Sequence, residues 1–355
     1  MKSKFISAAA SIFFLWGGNA YAVPVTFDPF VSSTGGSPIG FTYAGNKFVG
    51  SNYFNNQLYQ TDLNGGNLQA FGSPLPFSSG SVGEAYVSSS LGLGGFGSSS
   101  ARDVYVGLQS FGNIYKYSND GATQSLFASG LSGGVRGIAF DPYGNYGNNM
   151  IVTTSTGNVY EVDSSGTSTL LTNVGGDAEG LDFAPQSFGN IAAGTLVVVS
   201  EGTGRLNAID SSGTKTDLGL HFGTPEMLSF VPLNLGASGN PLEGFYAANY
   251  TSNVIKADAS EFAAYKGEAV ITDETNHNMY RIFWDGTKFD TSVIGQFPNQ
   301  PEDGIFVTAA ILDPGCTVTN SCGGSVVPEP ETYSMMFIGL GLMGFIAHRR
   351  KVRQV

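Results

Sequence analysis

The chain has 355 residues and a formal net charge of −12, with only 12% of its residues charged, 12% aromatic and 50 of them glycine. So acidic a chain repels nucleic acid and anionic head groups, which excludes both as partners. Abundant glycine beside abundant aromatics argues for many short strands joined by tight turns, not for disorder.

Residues 1–22 read as a secretory signal peptide. Lys2 and Lys4 form the positive start, residues 12–16 lie in the apolar core, and Ala20-Tyr21-Ala22 is an A-x-A site for signal peptidase. Ala20 and Ala22 are the small residues such a cut needs, and the mature chain would begin at Val23. Between residues 23 and 327 there are 10 basic and 26 acidic side chains, a formal charge of −16. That body is compatible with divalent cations.

The body is repetitive. Gly137-Ile138-Ala139-Phe140-Asp141-Pro142, Gly180-Leu181-Asp182-Phe183-Ala184-Pro185 and Met227-Leu228-Ser229-Phe230-Val231-Pro232 align without gaps at offsets of 43 and 47 residues. Each alternates like a strand and is closed by proline. A second pattern reads strand, turn, strand six times. With Gln57, Asn113, Asn158, Arg205, Asn253 and Asn278 equivalent, its spacings are 56, 45, 47, 48 and 25. Turns such as Asp163-Ser164-Ser165-Gly166 and Asp210-Ser211-Ser212-Gly213 close the hairpins and lead into a further short strand.

Four short strands repeating at about 45 residues predict an all-β fold, a β-propeller of about six four-stranded blades with very little helix. The final spacing breaks the period, and an inner-strand candidate, residues 302–307, follows the last hairpin. The ring is therefore expected to close irregularly, with a late strand completing a blade begun elsewhere. Two glycine- and serine-rich stretches, 88–100 and 233–240, are read as flexible, solvent-exposed loops at one rim.

Charged residues recur at the entries of the inner strands: Glu84, Arg136, Glu179, Glu226 and Glu302. Inner strands line the central channel, so these side chains are expected near one mouth. Glu84, Glu179, Glu226 and Glu302 there would favour a hard cation, calcium first. The plainer reading pairs Arg136 with a neighbouring glutamate in a hydrated channel. The rhythm resembles NHL-type and gluconolactonase-type propellers. The latter resemblance implies a channel metal held by a glutamate, an asparagine and an aspartate that polarises a lactone. Only the glutamate setting is matched, by Glu179 in Ala178-Glu179-Gly180. No catalytic residue is assigned: His221 and His277 have no metal-ligand spacing, and no serine lies in a GxSxG elbow.

Cys316 and Cys322 are the two cysteines, and an exported chain favours a small disulfide between them. They would staple a linker, 316–327, between the body, 23–315, and the tail, 328–355. The tail holds Pro328-Glu329-Pro330, an uncharged apolar run over 332–347, and a basic end with Arg349 and Arg350. The run is slightly short of the ~20 residues that span a bilayer comfortably, and the basic end marks the cytoplasmic side. Gly339-Leu340-Gly341-Leu342-Met343-Gly344 matches GxGxxG but opens no phosphate-binding helix. Pro-Glu-Pro, apolar span and arginine cluster in this order resemble the PEP-CTERM sorting signal. The resemblance implies an exosortase, a membrane-embedded transpeptidase, that cuts near the Pro-Glu-Pro. The precursor would be anchored in the inner membrane facing the periplasm and the mature form displayed at the cell surface. Two function classes follow: a non-catalytic binding platform for an extracellular polysaccharide or a surface protein, and an extracellular metal-dependent hydrolase or lactonase.

Overall fold

Twenty-four strands pair into six antiparallel sheets of four. The structure is a computed structural model and describes residues 24–312. Inner strands Pro38–Tyr43, Ala85–Ser89, Val135–Phe140, Ala178–Phe183, Pro225–Phe230 and Pro301–Val307 follow one another around a closed ring, each touching the next and the last touching the first. The body is a six-bladed propeller.

Period-two alternation builds it. In the second strand of blade two, Val104–Leu108, the side chains of Val104 and Val106 pack toward blade one, and Tyr105 packs toward blade three. All five residues are buried, as an element with a neighbour on both faces requires. One apolar cluster fills each of the six seams between adjacent blades. Glycine brings the inner strands together: a Cβ on Gly180 would lie 2.4 Å from Leu228 N, and one on Gly137 would lie 2.5 Å from Glu179 O. The Asp-Ser-Ser-Gly turns form as read. Asp163 Oδ1 accepts from Ser165 N and Thr167 N at 2.9 and 3.0 Å, while Gly166 adopts φ 86°.

Blades one to four take their strands in simple order. Blade five does not. After its inner strand the chain lays the hairpin Gly244–Asn249 and Asn253–Asp258 into blade six, and a 3-10 turn, Ala259–Tyr265, brings it back to complete blade five. Two hairpins thus follow each other directly in sequence, which explains the spacing of 25. Pro301–Val307 then supplies the inner strand of blade six, and Asp28–Val31, from the other end of the body, supplies its outermost strand. The expected late completion of an earlier blade is observed, with the N-terminal strand joining it.

The two glycine-rich stretches do lie at one rim, but they are anchored. Phe96, 1% exposed, packs edge-on against Tyr105 and Phe140. Buried Glu243 accepts from Gly236 N and Ser238 N at 3.0 and 3.1 Å and from Ala309 N at 2.8 Å. Buried Phe96 in the first stretch and buried Asn234 and Leu235 in the second, with Glu243 just beyond it, anchor what composition alone reads as free loop. No described helix is long and apolar enough to cross a membrane. Residues 332–347, Cys316, Cys322 and the signal peptide lie outside the described residues.

The seam between blades six and one closes the ring. Phe41 stacks on Phe48 at a centroid distance of 5.0 Å, and Tyr246 of blade six lies 4.9 Å from Phe48. Phe41→Ala is expected to destabilise the body by about 3–5 kcal/mol, the cost of emptying a buried phenylalanine site. Urea denaturation measures it, and a loss below about 1 kcal/mol would show that this seam does not hold the ring.

Candidate functional site

Inner strands of a propeller enter at one end of the channel, and two of the charged entry residues, Glu84 and Glu179, pair with a third, Arg136. Its guanidinium pairs with Glu84 and Glu179, with Glu201 at 3.0 Å, and with Asp177 through Nε at 3.1 Å. It is 5% exposed and lies over the Tyr86 ring at 5.5 Å. The Tyr86 hydroxyl sits between Glu84 Oε2, at 2.6 Å, and Glu179 Oε1. Gln109 Nε2 donates to Glu84 Oε2 at 2.6 Å. The plain pairing of Arg136 with neighbouring glutamates is therefore present. Glu84 belongs to it entirely, with guanidinium, phenol and amide all on its carboxylate.

Glu226 and Glu302 stand apart from that pairing. Glu179, Glu201 and Glu226 bring one oxygen each within 4.8 Å of the others, and so do Glu226, Glu274 and Glu302. Glu226 is common to both triads and is 2% exposed; its carboxyl lies within hydrogen-bonding reach of the Glu179 carboxyl, while its Oε2 accepts from no donor group. Gln300 Nε2 donates to Glu274 Oε1 at 2.6 Å and to Glu302 Oε1 at 3.0 Å.

Three members, Asp177, Glu201 and Glu274, were not legible from the inner-strand pattern. Glu201 and Glu274 are each the first residue after the second strand of a blade, Leu196–Ser200 and Ala269–Asp273. Gln109 holds that position in blade two, and Tyr53 and Tyr250 hold it in blades one and six. Reading the hairpins in register at this one position would have found Glu201 and Glu274, whereas Asp177 stands one residue before its inner strand, Ala178–Phe183.

Burial sets the electrostatics. It pushes the coupled pair Glu179 and Glu226 above the usual carboxylate range, with the Arg136 charge opposing on Glu179 and the Glu179 and Glu302 charges adding on Glu226. Burial, then the charges of Glu84 and Glu179, raises Glu302 likewise. Glu274 is pushed up to about 7 by burial and Glu201, and Asp177 to about 6 by burial against the pull of Arg136. Burial disfavours the Arg136 cation, yet the field of Glu179, Tyr86, Glu226 and Glu84 outweighs it and holds the guanidinium charged.

Beyond the ionic layer the channel opens into a cavity of about 490 Å³. Arg136, Glu179 and Glu226 line one end of it, Val87, Ile138 and Leu181 lie along it, and Leu93 and Asn234 stand at the far rim. Half-buried Asp182 accepts from Phe230 N at 2.7 Å and ties blade four to blade five. On the acidic face a second feature adjoins Glu84. Phe54, 49% exposed at φ 51°, donates its N–H to Gly83 O at 2.9 Å and its ring lies 4.1 Å from Tyr53. Tyr53 meets Tyr250 edge-on at 5.9 Å, and Tyr250 N–H donates to Gln300 O at 2.9 Å. An aromatic shelf thus runs along the acidic mouth. His221 ends an outer strand, Lys215–His221, and His277 lies in a turn with φ 58°, so neither stands with the inner-strand carboxylates.

Residues 326–351 match the PEP-CTERM protein-sorting motif, which implies export and processing by an exosortase. No curated protein matches the chain. Among solved structures, one described as a nidogen/laminin complex is similar over 75% of this chain and 83% of that one, at 15% identity and a TM-score of 0.50. A streptogramin B lyase is similar over 76% and 87%, at 13% identity and a TM-score of 0.44. A virginiamycin B lyase from Staphylococcus aureus is similar over the same shares, at 13% identity and a TM-score of 0.42. At these identities the likeness is one of fold alone.

The raised carboxyl groups give a pH dependence of unusual sign. A carboxyl whose folded pKa lies above its unfolded value adds stability that is complete below the unfolded value, near 4, and is lost as pH rises through the folded value. Asp177 at about 6 and Glu274 at about 7 place that loss between about pH 5 and pH 8. In chelator-treated protein Tm is expected to fall across this window, read by calorimetry. A Tm that rises from pH 5 to pH 8 would mean that the cluster is fully ionised in the folded state.

Proposed function

We propose that the chain is exported, cut by exosortase near Pro328-Glu329-Pro330, and displayed at the cell surface or in the extracellular matrix as a non-catalytic binding platform for a polysaccharide. Signal peptidase acts at Ala20-Tyr21-Ala22, the precursor spends time in the inner membrane facing the periplasm, and Cys316 and Cys322 staple the linker before the tail. The observation that carries the binding reading is the shelf of Tyr53, Phe54 and Tyr250 beside Glu84 and Gln300. Exposed aromatic faces stack on the apolar face of a sugar ring, while amides and carboxylates around them take its hydroxyls. Contiguous aromatic surface rimmed by polar groups, rather than one exposed ring, is what marks a contact surface. The acidic body opposes uronic and sulfated polymers, so the favoured glycan is neutral or carries amines.

Affinity electrophoresis in immobilised neutral and amino-sugar polymers tests this. Phe54→Ala and Tyr250→Ala are each expected to weaken retention about tenfold, roughly 1.4 kcal/mol, with Tm unchanged. Equal retention of the variants, or no retention of the native chain by either polymer, would overturn the platform. The delivery half is read separately by intact mass of the protein recovered from its native surface. Loss of residues 1–22 and of everything after the Pro-Glu-Pro is expected, and a species retaining residues 345–355 would make the tail a permanent anchor.

The carboxylate triads favour one second reading, a metal-dependent hydrolase or lactonase working at the same mouth. Turnover of a simple lactone that requires a divalent cation and disappears in Glu179→Gln would establish it in place of the platform. No turnover is the expected result, since no nucleophile and base are paired at the mouth among the described residues.

A further inference from the structure

Seven carboxylates, Glu84, Asp177, Glu179, Glu201, Glu226, Glu274 and Glu302, meet at the acidic mouth with a single guanidinium. Arg136 takes four of them, Glu84, Asp177, Glu179 and Glu201. Glu226, Glu274 and Glu302 have no basic partner among the described residues. They converge from two adjacent blades: Glu226 from the inner strand of blade five, Glu274 from the turn after that blade's second strand, and Glu302 from the inner strand of blade six.

From this geometry we propose that Glu226, Glu274 and Glu302 form a calcium site at the seam of blades five and six. The unpartnered Oε2 of Glu226, on a residue 2% exposed, is the second observation. A buried acceptor with no donor is costly, and it calls for a positive group. The spacing suits calcium. Ligand oxygens at 2.3–2.6 Å from the ion lie up to about 5 Å apart across it, and the three carboxylates hold theirs within 4.8 Å. The donor set is oxygen throughout, with no histidine or cysteine in either triad, which disfavours zinc. Gln300 already touches both outer carboxylates, and turning its amide presents an oxygen in place of the nitrogen. Three carboxylates, one amide and water complete a flexible shell of the six to eight oxygens that calcium takes, whereas magnesium demands near-ideal octahedral geometry at shorter distances and keeps several of its waters. Glu84 has no place in this shell because its carboxylate is taken up by Arg136, Tyr86 and Gln109. The site differs in donors from the glutamate, asparagine and aspartate set of gluconolactonase-type propellers. It does not depend on what the aromatic shelf binds.

The test uses the full exported chain, stripped with chelator and dialysed at pH 7.5 against calcium, magnesium or zinc. Metal per chain is measured by plasma mass spectrometry and affinity by calorimetry in two buffers of different ionisation enthalpy. One calcium per chain is expected, with proton release on binding, a rise in Tm that chelator reverses, and at least tenfold weaker binding of magnesium. Glu226→Gln and Glu274→Gln are each expected to weaken calcium binding at least tenfold, whereas Glu84→Gln retains it. Glu274 is part-exposed, so Glu274→Gln remains informative if the Glu226 variant fails to fold. No bound calcium in the native chain, tighter binding of zinc, or undiminished affinity in Glu274→Gln would each overturn the site. Loss of glycan retention with calcium binding intact would refute the platform alone.

Discussion

A four-stranded blade has two apolar faces and cannot bury both by itself. Everything else in this body follows from the need to give each face a neighbour. Stacking the blades around an axis satisfies the two faces of every sheet at once, but only if the first blade also meets the last. Closure is therefore the demanding step, and here both ends of the body meet in one sheet. The outermost strand of blade six comes from residues near the start and its innermost strand from residues near the end. Two seam clusters depend on that sheet, the aromatic one around Phe41, Phe48 and Tyr246 and the one around Phe245, Phe262 and Phe306. The exchange of a hairpin between blades five and six ties the closing sheet to its neighbour through the chain itself.

Closure also creates the electrostatic problem at the axis. Inner strands that converge bring their entry residues together, and in this chain most of those residues are acidic. Arg136 answers part of it by spanning from Glu84 on blade two to Glu179 on blade four, so this buried cation doubles as a cross-brace between blades that are not adjacent. Breaking such an arrangement from one side leaves an uncompensated buried charge, and for that reason it is more costly to lose than its net contribution suggests. The remaining carboxylates keep their protons longer than exposed ones would, because burial and mutual repulsion act in the same direction.

The two mouths of the channel consequently differ. One is acidic and edged with Tyr53, Phe54 and Tyr250; the other opens on an apolar cavity rimmed by the anchored loops. The fold alone does not choose between binding and chemistry. What inclines this molecule toward binding is the division of labour at the acidic mouth. Arg136 and the four carboxylates it takes hold blades together, while Phe54 and the half-buried Tyr53 and Tyr250 edge the mouth. A closed ring with a braced axis provides a rigid face.

The sequence by itself determined the local chemistry: strands from period-two alternation, turns from Asp-Ser-Ser-Gly, and the sorting motif of residues 326–351, which implies export. It also pointed to about six blades and showed that the spacing before Asn278 breaks their order, because each hairpin is written in neighbouring residues; the closed ring gave the count of six. It named Glu84, Glu179, Glu226 and Glu302 together since they share one strand position. Glu201 and Glu274 escaped because they sit in the turns after second strands, and Asp177 because it stands one residue before its inner strand. Only the closed ring decided which carboxylates Arg136 takes and which it leaves. Those distances are set by how six sheets pack around an axis, and residues 40 or more positions apart in sequence become neighbours only when the last blade meets the first.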